Sequence, residues 1–184
     1  MEALDRNWRR LAGRIPAAAE ADAARIVRAF RGDIVLTPPR ASKWGSYRWR
    51  SDLGAKIFLN RDLQPEAMLI TLLHELAHAQ VKAWDGLGCA PHGAEWQKRY
   101  RELLAPFIAL PEVFSPAVAR ALQRQLHKPK ASCGAAPDLL RALRADSDQL
   151  RVEHLPEGAW FRLDNGMEFR KGPKRRTRFA CTEK

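Results

Sequence analysis

At 184 residues the chain is long enough for one hydrophobic core with a small appendage. Its apolar share of 46% is ordinary for a globular protein, and no stretch approaches the roughly eighteen apolar residues that a membrane span needs. Thirty-two Lys and Arg against 21 Asp and Glu leave a net charge of +11, an excess that favours nucleic acid or another polyanion over neutral partners unless it is spread evenly.

The first residues, Met1 to Arg14, carry charges throughout and have no apolar h-region, so they do not read as a signal peptide. Cys89, Cys133 and Cys181 are far apart and odd in number, with no Cys-x-x-Cys pair, which argues against a disulfide framework and against a zinc ribbon. The simplest compartment is the cytoplasm. Residues 3–30 read as helix, interrupted at Pro16 and resuming in an alanine-rich run. The arginines that stud it, from Arg6 to Arg31, read as a solvated face. Three strands follow, at residues 33–37, 44–50 and 56–59. In the second, Trp44, Tyr47 and Trp49 interleave with Arg48 and Arg50, a pattern that suits either stacking on unpaired bases or a half-buried hairpin.

The next element carries the chemistry. Pro65 suits the first turn of a helix that runs to Trp84, where Asp85, Gly86 and Gly88 break it. Leu69, Ile70, Leu72, Leu73, Leu76 and Val81 make this helix apolar nearly all round, so it is buried. Yet it contains His74-Glu75-Leu76-Ala77-His78. Two imidazoles four residues apart point the same way, and the carboxylate between them can reach a water held by a metal on both. A catalytic zinc needs a third ligand, for which His92 and Glu95 are the downstream choices. His92 is preferred, at the amino end of a second helix whose dipole favours neutral imidazole. Glu95 then serves as an outer carboxylate or a helix-start charge.

Beyond Leu104 the chain reads as a helix over 113–126, a linker over 127–134 with His127 at the surface, and a short helix over 137–145. Ala159–Leu163 and Met167–Arg170 flank Asp164-Asn165-Gly166, a hairpin signal. A basic turn over 171–176 leads to a third strand ending at Cys181. Lys171, Lys174, Arg175, Arg176 and Arg178 make this the most basic part of the chain and the candidate grip on DNA or another polyanion.

The run HELAHA, a short loop and then HGAEW, together with the lead-in Ile57-Phe58-Leu59-Asn60, resembles the SprT-like zinc metallopeptidase domain over roughly residues 20–110. A metzincin would need its third histidine at position 84, which is Trp. The resemblance implies a zincin-like α+β fold, in which a small three-stranded antiparallel sheet packs with helices including the HExxH helix and offers an edge to an extended peptide. It implies one Zn²⁺ on His74, His78 and His92, with Glu75 taking the proton of the zinc-bound water. The oxyanion donor is left among Tyr47, Arg48 and Tyr100. Relatives include proteases that cut proteins crosslinked to DNA. The cysteine-rich ribbon that many of them carry is absent, so any nucleic-acid contact falls to the basic strands. The expected organisation is a metallopeptidase domain over 1–112, a helical and linker segment over 113–149 and a basic β-module over 150–184. The expected partners are a protein or peptide substrate and DNA or another polyanion, with no membrane. A zinc-stabilised nucleic-acid-binding protein without peptidase activity is the alternative, and a hydrolase of small substrates is a third reading.

Overall fold

The computed structural model describes residues 2–40, 43–84, 88–127, 137–144, 152–163, 165–176 and 178–184. The expected helix break at Asp85 and Gly86, the linker beyond residue 127 and Asp164 of the hairpin turn lie outside them. The chain divides into two compact units, Met1–Ala145 and Asp146–Lys184.

The first unit starts with α1 (Glu2–Leu11) and α2 (Glu20–Ala29), followed by strands β1 (Gly32–Thr37), β2 (Gly45–Arg50) and β3 (Gly54–Asn60). The sheet order is β1-β3-β2. β2 pairs antiparallel with β3, but β1 pairs parallel with it, so the sheet is mixed and the wholly antiparallel expectation is corrected. The central place goes to the most apolar strand, whose Ile57 and Leu59 are fully buried. β2, with Arg48 and Arg50, takes an edge. The other edge is closed by α1. Buried Asn7 imitates a neighbouring strand, with Nδ2 donating to Gly32 O (2.8 Å) and Oδ1 accepting from Ile34 N–H (2.9 Å). Arg10 takes the next carbonyl, that of Ile34. These bonds satisfy backbone groups that an open edge would leave to another chain.

Helix α3 (Pro65–Trp84) packs on this sheet and α4 (Ala94–Ala109) packs on α3. As its sequence requires, α3 is buried almost all round: Met68, Leu69, Ile70, Leu72 and Leu73 are fully buried. Helices α5 (Pro116–His127) and α6 (Pro137–Leu143) complete the unit, and Val118, Leu122 and Leu139 join the same core. Val113 and Phe114 are buried there as well, so described residues of the segment expected over 113–149 pack in the core of the first unit. Among the described residues no helix is long and apolar enough to cross a membrane.

The second unit is an antiparallel sheet of β4 (Trp160–Arg162), β5 (Glu168–Arg175) and β6 (Arg178–Glu183) in that order. Gly166, at φ 87°, makes the first turn. Phe161 stacks on Phe169 (centroids 5.9 Å apart), and Glu168 holds both Arg162 and Lys184 across the strands. Lys171–Arg175, expected as a turn, continue strand β5, and the chain reverses at Arg176, whose φ is 52°.

Candidate metal centre

Three imidazoles converge at the junction of α3 and the chain entering α4. His74 and His78 lie one turn apart on α3, where spacing alone puts them on one face. His92 arrives from the opposite side, two residues before α4, with φ 59°. The left-handed conformation costs a non-glycine residue on the order of 1 kcal/mol, and it turns the ring back towards α3. A hydrogen bond holds it there: Gln97 Nε2 donates to His92 O (3.1 Å). Arg101 in turn donates to Gln97 Oε1 (3.3 Å) and to Leu126 O at the end of α5.

The Nε2 atom of His92 lies 3.0 Å from that of His78 and 3.3 Å from that of His74. Ligands about 2.05 Å from a tetrahedral ion sit about 3.3 Å apart, so this spacing suits a cation between them. A hydrogen bond needs one donor and one acceptor, so three ring nitrogens turned onto one point cannot all satisfy one another. A cation satisfies them together. His74, His78 and His92 therefore form a group that could hold a metal ion. Burial reinforces this by holding all three imidazoles in the neutral, ligating form. It pushes His74 down to about 3 and His78 to about 4, with the neighbouring imidazoles adding to the effect, and it lowers His92 as well.

Trp96 forms the floor. Its ring lies 4.7 Å from His74, 5.4 Å from His78 and 4.7 Å from His92, centroid to centroid, and Tyr100 stacks beneath it at 5.0 Å. Glu75, only 5% exposed, leaves α3 towards β2. Burial raises its carboxyl to about 7, while the Tyr47 backbone N–H, Arg40 and Lys43 pull the other way. The close approach depends on Gly45: a Cβ there would stand 2.6 Å from Thr71 Cγ2 and 2.8 Å from Glu75 Oε1. Asn60 N–H donates to Trp44 O (2.8 Å), so the ladder turns alternate residues onto β3. The backbone groups of Gly45, Tyr47 and Trp49 consequently face outward, and no described strand pairs with them.

Glu95 is exposed in the first turn of α4, outside the metal-holding group. Of the three oxyanion choices, Tyr47 is half-buried with its backbone on Glu75, and Tyr100 lies buried under His74 and Trp96. Arg48 sits over the Phe58 ring, on the sheet face turned away from α3. In the second unit Lys174, Arg175, Arg176 and Arg178 are exposed. Lys171 is only 6% exposed, and its ammonium donates to the Leu155 and Glu153 carbonyls, which removes it from any surface grip. Sequence reasoning missed Gly45, the Tyr47 N–H and Gln97 as parts of the site. An isolated glycine within an aromatic strand was the available signal of a close backbone approach.

The geometry defines a three-histidine metal-site candidate with an adjacent buried carboxylate. Residues 31–113, just under half of the chain, match the SprT-like family model, a match compatible with an enzyme. The matched range includes β1 to β3, α3, His92 and α4. No curated protein and no solved structure matches the chain.

Proposed function

We propose that the chain is a zinc-dependent endopeptidase of SprT-like type, with Glu75 as proton acceptor. The observation that carries this reading is a buried carboxylate on the same helix as two of three convergent imidazoles, all within the family match. Zinc on Nε2 of His74, His78 and His92 would supply a Lewis acid for the scissile carbonyl and a water of lowered pKa.

The chain's own residues account for the remaining requirements. Glu75 takes the water's proton on a carboxylate oxygen and passes it to the leaving amine. Burial raises its carboxyl to about 7 in the metal-free protein, and a cation on the histidines would draw it back towards the carboxylate that accepts a proton. The Tyr47 N–H fixes that carboxylate, and Trp96 keeps water from the inner side of the imidazoles. The outward backbone groups of Gly45 and Trp49 and the Tyr47 carbonyl can pair with an extended peptide, which brings the scissile bond past Glu75. The net charge of +11 and the four exposed cations of the second unit favour protein substrates associated with or crosslinked to DNA. The same cations favour the second reading, a zinc-stabilised nucleic-acid-binding protein without peptidase activity.

Proteolysis of casein by wild type and Glu75→Gln, each at equal zinc content and with or without single-stranded DNA, separates the two. The peptidase reading expects wild-type cleavage and a loss of about a hundredfold or more in the variant. Equal cleavage by both would remove Glu75 from the reaction. One zinc per chain with no cleavage by either would favour the binding protein.

A further inference from the structure

Under the end of the first sheet, between α2 and the last turns of α3, lies a cavity of about 580 Å³. It is distinct from the histidine centre. On α3 it is walled by Leu76, Ala79, Gln80 and Ala83, and the last two lie roughly opposite His74 and His78 around the helix. Its volume falls within the range of about 300–1,000 Å³ usual for small-molecule sites.

The chemistry of the lining narrows the ligand. The depth is hydrocarbon, with Ile26 from α2, Phe30 just beyond its end and Leu103 from α4. Tyr47 and Gln80 are its uncharged polar side chains. That is too few donors and acceptors for the polar edges of a nucleobase, which would be buried at a cost. Two large apolar side chains stand exposed on the lining, Trp49 at 45% and Trp84 at 65%. The charged groups are Arg25, Arg31 and Lys82, and no carboxylate lines the cavity among the described residues. Arg25 is engaged with Asp22 (3.0 Å), whereas Lys82 Nζ sits 4.1 Å over the Trp49 ring. Positive charge at an apolar opening favours an anion whose body is apolar.

We propose that this cavity binds a hydrocarbon monocarboxylate, its chain against Ile26, Phe30, Ala79 and Leu103 and its carboxylate at Arg31 and Lys82. The site is independent of the peptidase reading. Titration calorimetry of the zinc-loaded full chain with laurate, below its micelle-forming concentration, tests it. One laurate should bind per chain, and dodecyltrimethylammonium should not bind. Ala83→Trp places an indole in the opening and should weaken laurate binding at least about tenfold. The double variant Arg31→Glu and Lys82→Glu, on the rim of the fold, should do the same should Ala83→Trp fail to fold. No laurate binding, equal binding by the folded variants, or equal binding of the cationic amphiphile would overturn the assignment.

Discussion

His92 pays for its position with a left-handed backbone, and one side chain stands against that cost. Gln97 Nε2 holds the His92 carbonyl, itself braced by Arg101. Gln97→Ala should therefore weaken metal binding by about ten- to a hundredfold, the usual effect of removing a group that orients a ligand. Competition against a chromophoric chelator measures it, and an unchanged dissociation constant would show that the loop holds itself. The imidazoles also set a pH dependence. Their folded pKa values lie below 6.5, so in the metal-free protein the unfolded chain binds more protons as pH falls below about 6.5. Glu75 acts oppositely: raised to about 7, it binds its proton in the folded state first, and stabilises it as pH falls towards its ordinary value near 4.5. Below that this offset is lost. Stability of the metal-free protein to urea should fall from pH 6.5 to about 3, with Glu75 softening the fall only above about 4.5. A flat profile would mean that the rings are solvated.

At the scale of elements, the site depends on how closely β2 approaches α3. Gly45→Ala should cost about 1–3 kcal/mol, the range for overpacking a tight contact, as read by chemical denaturation. Adding Thr71→Ser removes the Cγ2 that the new methyl meets and keeps the hydroxyl bond to Ala67 O, so it should recover part of the loss. No cost in the single variant would mean that the strand shifts freely. This contact also marks where sequence reasoning stopped. The α3 helix was legible because its apolar residues leave no polar face and Pro65 fixes its start. The strands were legible as elements but not as neighbours: period-two patterning specifies which face is buried, not which strand lies alongside. Thus the parallel β1–β3 pairing stayed hidden. Lys171 was misread for a related reason. A basic run reads as solvated, and only the fold shows that this amine is turned onto two carbonyls. The histidine spacing was informative because helical geometry converts it directly into direction, whereas Gln97 acts through a backbone carbonyl, which carries no residue-type signal.

For the whole molecule, the two compact units divide the residues by chemistry. The first holds the histidines, Glu75 and the apolar cavity, and the second presents Lys174, Arg175, Arg176 and Arg178 to solvent. If those four cations contact phosphates, replacing them with Ala should flatten the dependence of single-stranded DNA binding on salt by about 2–3 units of log K per log[salt]. Fluorescence anisotropy across a salt series reads that slope, and an unchanged slope would move the nucleic-acid surface elsewhere.

The central claim is that three histidines converge to hold one metal ion. Zinc stoichiometry by inductively coupled plasma mass spectrometry, on wild type and His92→Ala purified in parallel, tests it most directly. Wild type should carry one zinc per chain, and the variant should lose most of it while remaining folded. A wild-type chain that takes up no zinc, or a variant that retains it in full, would contradict it.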